Sequence, residues 1–424
     1  MKKLFPIVTL ALTIIMVVLS NDLTKIIAWL VLMLCYSKAK KSQNWYSPYY
    51  LFMVTIISYI LYWERLGGIF MDELSLETRI FVVSGLLAVV IGFIACQNVH
   101  RIPIQVGKVN ENFWLVFFIG LLPTALSYMM YGNIAALEGE EMMEAKEQFT
   151  LPIIGQLAYF LPASIVVACK KNNTKLIVIA TLFSILAALL TISKTALLVT
   201  ALYFIVGVTR FHPAITGSRL YKIADKFKFV AIPVLLIFMF MYNNNKRNDA
   251  SSGGNDMAYV ESSSSTLWET SNLAQNLFLD YCYYVQPWSN LNYNIENNHN
   301  EGTIGGNSFA QFGKKLGIHI KAKKKIQPYF FNTHTFLTDY YLDFGPIFAI
   351  IISFLLGILI YTCYSLFGLS DDPLLISFYI LIAYATVMMF FSNHFNNGYL
   401  MNYFITFGLV SLFSRAFAKS TSTR

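Results

Sequence analysis

Charge is scarce in this chain. Lysine, arginine, aspartate and glutamate make up 13% of its 424 residues, against ~25% in an ordinary soluble domain. Cysteine is sparse too: of five, Cys35, Cys96, Cys169 and Cys363 lie in or beside apolar stretches and only Cys282 does not. Their spacing supports neither a disulfide framework nor a zinc site, which leaves packing as their role. There is no Walker loop, so ATP hydrolysis is excluded. HExxH and Gly-Xaa-Ser-Xaa-Gly are absent, which removes the zinc proteases and the elbow-type serine hydrolases. Asp371-Asp372 has no other metal-binding context. No repeat of fixed period is present, and a transporter built of two similar halves would have one.

What the chain has instead is apolar and aromatic. Hydrophobic residues make up 56% and aromatic residues 16%. Stretches fit to cross ~30 Å of hydrocarbon recur along the whole length. In lipid the backbone must satisfy its own hydrogen bonds, so these stretches are expected to be helices. They fall near 4–20, 23–37, 46–63, 79–96, 113–132, 152–169, 176–192, 195–209, 229–243, 344–364, 374–391 and 399–414. The expected fold is an all-α polytopic membrane protein of about 12 transmembrane helices, one integral membrane domain over 1–424.

Basic residues orient it. With the N-terminus in the cytoplasm, the inside segments carry Lys2-Lys3, Lys38–Lys41, Lys170–Lys175, Arg210–Lys228 and Arg415–Arg424. The short outside segments carry only Lys25, Arg65, Arg79, Lys146 and Lys194. That is a positive-inside distribution. Fusing 176–209 into a single helix would place Arg210–Lys228 outside and break it. Both termini are therefore expected in the cytoplasm, with the first helix uncleaved. The net charge of +8 follows largely from this topology, so no nucleic-acid partner is implied. Arg210–Lys228 reads as an anchor near anionic lipid.

One long hydrophilic excursion, 243–336, is expected outside. Its first part, to about Ser265, is rich in Asn, Ser and Gly. Thr266–Ile295 is aromatic, with Leu273, Leu277, Tyr281 and Tyr284 at helical spacing. This reads as one or two interfacial helices forming a cap on the outer face. Lys314, Lys315, Lys321, Lys323, Lys324 and Lys325 follow as a basic cluster. Two other outside segments, 64–77 and 133–151, are acidic; they read as a solvated helical face or as the rim of an outside cavity.

The reactive groups expected on the outer side are few. They are His334, His394, Asp339 and Asp343, and the lysines. Asp339 and Asp343 share a face if their segment is helical. Lys194, between two apolar helices, needs water or an anion. Such a set suits a lipid with a phosphate or pyrophosphate head. Lysine supplies point charge for the leaving group, and a carboxylate or imidazole takes the proton from an attacking hydroxyl. Plainer roles exist for each: an interface histidine, a helix cap at Asp343, a snorkelling Lys194, a solvated lysine run.

Asn332-Thr333-His334-Thr335-Phe336, followed by Tyr340-Tyr341-Leu342-Asp343-Phe344-Gly345, resembles the loop-to-helix segment of the Wzy-type oligosaccharide repeat-unit polymerases. Gly306-Asn307-Ser308-Phe309, Leu316-Gly317, Leu279–Asn294 and Ser193-Lys194-Thr195 are similar to further elements of that family. Lys194 stands where Arg is commoner, and His334 where an aromatic is also frequent. The resemblance implies a bundle akin to the C-type lipid-dependent glycosyltransferases. The implied enzyme is an O-antigen polymerase in the bacterial inner membrane, without metal or cofactor. It would transfer a growing glycan from undecaprenyl pyrophosphate to a lipid-linked repeat unit. A chain-length regulator and a flippase are the implied protein partners. On this reading His334, Asp339, Asp343 or His394 orients or deprotonates the acceptor. Lys194, Lys146, Lys314 and Lys315 hold pyrophosphate. Trp268, Tyr284, Trp288 and Tyr340 stack on sugars. An O-antigen ligase, or a polysaccharide flippase or other transporter, is the alternative.

Overall fold

The computed structural model describes residues 22–42, 44–63, 71–97, 112–131, 157–158, 160–190, 194–211, 272–297, 303, 305–309, 323–326, 333–396, 400, 403–404 and 407–408. The expected spans at 4–20 and 229–243 lie outside these residues, as does nearly all of 399–414. The described residues contain helices and no strand. Three helical stretches among them are long and apolar enough to cross a membrane: Leu76–Ala95, Phe336–Gly368 and Pro373–Phe390.

The chain forms two compact units. The first comprises Met1–Asn98, Asn255–Thr362 and Ala385–Asn396; the second comprises Val99–Gly254, Cys363–Tyr384 and Asn397–Arg424. In the first unit the helices are α1 (Leu23–Ser42), α2 (Pro48–Tyr62) and α3 (Leu76–Ala95). In the second they are α4 (Phe113–Tyr131), α5 (Phe160–Lys170), α6 (Thr174–Leu190) and α7 (Lys194–Phe211). The first unit resumes with α8 (Asn272–Val285), α9 (Pro287–Asn297) and α10 (Phe336–Cys363). Last comes α11 (Pro373–Val387), followed by a short 3-10 turn, Met388–Phe390.

Local chemistry sets several of these boundaries. Ser47 precedes α2 with Pro48 in the first turn, where a missing N–H costs nothing. Ser75 caps α3 by accepting from the Thr78 amide at 3.2 Å, which satisfies one orphan donor. Arg79, one turn further on, ties the ends of α1 and α3 together. Its guanidinium meets Asp22 and Glu73 at 2.6 Å each, donates to the Leu74 carbonyl and lies over the Trp63 ring.

In the second unit α5 packs against α4, α6 and α7, and α6 packs on α7. Two helices that pack together are separate elements, in keeping with the expected division of 176–209. Tyr203 of α7 donates to the Ser377 carbonyl at 2.9 Å, and Phe160 stacks on Tyr403. Arg210 ends α7 by donating to the Leu369 carbonyl at 3.0 Å and pairing with Asp371. A cation there complements helix C-terminal carbonyls.

The first unit departs from expectation at one place. The helix expected from residue 344 begins at Phe336 and is kinked rather than started at Gly345, whose φ of 73° and ψ of 177° are not helical. Glycine tolerates that φ; the following Pro346 has no N–H to give to the turn before. Two lengths of helix therefore meet at Gly345, and the first carries the polar residues. α8 and α9 lie against α2. Tyr281 donates to the Leu61 carbonyl at 2.8 Å and Tyr284 to the Val54 carbonyl at 2.5 Å. Ser58 donates to the Tyr284 carbonyl and accepts from Trp288 Nε1. The aromatic residues thus dock along α2, with Trp288 fully buried.

α3 and α10 cross at glycines. A Cβ on Gly92 would overlap the Phe354 carbonyl, and one on Gly357 would overlap the Val89 carbonyl. Small residues of this kind let backbones approach in a membrane. Gly92→Leu is expected to force the helices apart, at about 1–3 kcal/mol or more for overpacking. Thermal unfolding in detergent would show it. Gly345→Ala meets no neighbour, so its cost is the backbone strain alone, about 1–3 kcal/mol for alanine at a positive φ with extended ψ. An unchanged unfolding temperature for Gly92→Leu would contradict the close crossing.

Candidate functional site

The polar residues of the first unit gather at the head of α10. Thr335 precedes the first helical residue, and its hydroxyl lies 3.3 Å from that of Thr338. Asp339 and Asp343 follow on one face, as their spacing predicts, and both are buried. A buried carboxylate must be paired or hydrogen-bonded. Each of these two is served by a different segment.

Asp343 is held by the 303–308 turn. It accepts from the Asn307 amide at 2.9 Å, the Ser308 amide at 2.6 Å and Asn307 Nδ2 at 2.9 Å, and also from the Thr303 hydroxyl. Its oxygens are largely occupied by this turn, so its evident work is to fasten Gly305–Phe309 to α10. Asp339 pairs with Lys325 at 2.5 Å; the carboxylate side chain is 5% exposed and the lysine 31%.

Two asparagines of α9 hold the segments beside them. Asn294 accepts from the Ile326 amide at 2.9 Å and donates to its carbonyl at 2.7 Å. Asn290 donates to the Thr333 carbonyl at 2.6 Å. One helical turn apart, they set Lys325 and His334 in place from the same face of α9. The His334 amide donates to the Phe391 carbonyl at 3.2 Å. Its Nδ1 is buried and has no hydrogen bond among the described residues. Burial, and secondarily the charge of Lys325, push His334 down to about 3, so the imidazole is neutral at physiological pH. His394, in the short turn after Asn393, is pushed down to about 4 by burial.

The structure thus brings His334, Asp339 and Asp343 together, with His394 directly after Asn393. Lys146, Lys314, Lys315 and Trp268 lie outside the described residues. Lys194 opens α7, and its side chain is not among those described. Trp288 and Tyr340 are buried. Tyr284 presses edge-on against Phe390 at 4.5 Å. These three rings act as packing groups in this arrangement, with their polar tips engaged at Tyr284 and Trp288. The lysine that reaches the carboxylates is Lys325, which the sequence presents only as one of six. Asn290 and Asn294 carry no motif. The readable signal was two asparagines spaced i, i+4 in an aromatic helix.

No family model, curated protein or solved structure matches this chain.

Two outcomes are expected. Asp343→Ala strips the acceptor from two buried amides, at about 1–3 kcal/mol for each donor left unpaired, and should lower the unfolding midpoint by several degrees; an unchanged midpoint would dismiss the fastening role. The pH dependence has a definite sign. His334 protonates near 6.5 when unfolded but only near 3 when folded. Its contribution is present above pH 6.5 and lost as pH falls toward 3. Stability in detergent should drop by on the order of 1–2 kcal/mol between pH 7 and 5 from this group, and His334→Gln should flatten that slope.

Proposed function

We propose that this protein is a Wzy-type polymerase of lipid-linked oligosaccharides in a bacterial inner membrane. On this reading about 12 helices span the bilayer, both termini are cytoplasmic, and 243–336 lies on the outer side. The donor is a growing glycan on undecaprenyl pyrophosphate, and the acceptor is a lipid-linked repeat unit. A flippase supplies the substrate, and a chain-length regulator sets when the product leaves.

The observation that carries the reading is the Lys325–Asp339 pair beside a neutral His334, at the head of an apolar helix. Transfer needs a proton acceptor and a cation for the leaving group. The acceptor hydroxyl attacks the anomeric carbon of the donor. The new C–O bond forms as the bond from that carbon to the phosphate oxygen breaks. The hydroxyl proton passes to His334, and pyrophosphate departs with the electron pair. Lys325 offers charge to the departing oxygens, and Asp339 positions it.

A histidine held near 3 is a weak base in the empty site. Pyrophosphate lessens that, because negative charge beside Lys325 offsets the cation's share of the depression, though not the larger share due to burial. The base gains strength when the donor is in place.

Surface glycolipid from a strain lacking the gene tests this. The expected gel shows a ladder collapsed to core plus one repeat unit, restored by the wild-type gene and not by His334→Gln. Complete loss of repeats, with long lipid-linked polymer accumulating, would indicate a ligase. Single lipid-linked units trapped on the cytoplasmic face would indicate a flippase. An unchanged ladder would refute the polymerase.

A further inference from the structure

Gln286 stands just before α9, one turn ahead of Asn290, whose amide donates to its carbonyl at 3.1 Å. Gln286, Asn290 and Asn294 are spaced i, i+4, i+8, the spacing of one helical face. Asn294 and Asn290 turn that face toward Ile326 and Thr333. Gln286 is 0% exposed. Yet neither its Nε2 nor its Oε1 has a hydrogen bond among the described residues. The same holds for the buried hydroxyls of Ser289, beside Asn290, and of Thr333, whose carbonyl Asn290 holds. It holds as well for Nδ1 of His334, the next residue.

A buried amide with both ends unpaired is costly, on the order of 1–3 kcal/mol per group. A leucine or methionine would fill such a place in a purely structural core at lower cost. Native proteins keep few such groups, and each asks for an explanation. Here four side chains on two segments joined by Asn290 share the condition, and one of them is the proposed base.

The chemistry of the set narrows what it could bind. Gln286 offers one donor-bearing and one acceptor end; Ser289 and Thr333 each offer a hydroxyl that does both. None is charged, and the imidazole is neutral. A phosphate would want cations or a fan of amides. A neutral group that itself both donates and accepts suits this set, and sugar hydroxyls are of that kind. We infer that Gln286, Ser289 and Thr333 form a subsite that reads hydroxyls of the acceptor sugar and presents the attacking one to His334.

This rests on the polymerase reading, and the variants separate the two. In the deletion strain, a gene carrying Gln286→Met should support about tenfold less polymer or worse, as expected for losing one or two substrate hydrogen bonds. The purified variant should unfold at the wild-type temperature or above it, since an apolar side chain replaces an unpaired amide. Ser289→Ala should act in the same direction more weakly. Lipid-linked single units extracted from the deletion strain should raise the unfolding midpoint of wild-type protein more than that of Gln286→Met. A full ladder from Gln286→Met would overturn the subsite while leaving the polymerase intact. A fall of several degrees in its midpoint would show that the amide serves the fold, and would overturn the subsite too. If deletion itself leaves the ladder unchanged, the polymerase reading fails first.

Discussion

Two carboxylates buried one turn apart at the head of an apolar helix are the constraint around which the first unit is organised. Neither Asp339 nor Asp343 could be placed there alone. Asp343 draws in the 303–308 turn through two amides and two side chains. Asp339 draws in Lys325. The segment that delivers Lys325 is in turn held by Asn294 of α9, Asn290 holds Thr333 just before His334, and α9 is docked on α2 through Trp288 and Ser58. Polar satisfaction thus links a long hydrophilic stretch of chain to the helices.

The two aspartates divide the work. Asp343 meets mainly backbone and small polar groups of one turn, and so fixes shape. Asp339 meets a single, partly exposed cation, and so fixes charge. Next to that cation sits an imidazole kept neutral by burial. A cation and an uncharged base side by side are what a displacement from pyrophosphate calls for, since the leaving group needs charge and the nucleophile needs a proton acceptor. The kink at Gly345 separates this polar head from the apolar length that follows, whose Ile347, Ile351, Leu355 and Leu359 remain exposed. Apolar side chains on an outer face are at home in lipid.

Much of the helical scaffold was legible because hydrophobic runs in a membrane permit little else. The starts of α1, α2, α3 and α4 fall within a few residues of expectation. The start of α10 was misjudged. Asp343 before Phe344-Gly345 reads locally as a cap, whereas its carboxylate is spent on a turn some 36 residues away in sequence. Local rules see capping partners close in the chain and miss distant ones. The docking of α8 and α9 on α2 was not legible for the same reason: the partners of their tyrosines and asparagines lie far off in sequence. Asp339 and Asp343 could be placed on one face from spacing alone. Lys325 could not be told from its five lysine neighbours, since only the fold brings one of them to a carboxylate.

Reconstitution tests the central claim most directly. Purified protein in proteoliposomes would be given undecaprenyl-pyrophosphate-linked repeat units from its host, and the products followed by mass. The account predicts lipid-linked dimers and longer glycans, with one free undecaprenyl pyrophosphate released per linkage formed. Intact monomeric substrate after long incubation with folded protein, or release of undecaprenyl pyrophosphate without any elongated glycan, would contradict it.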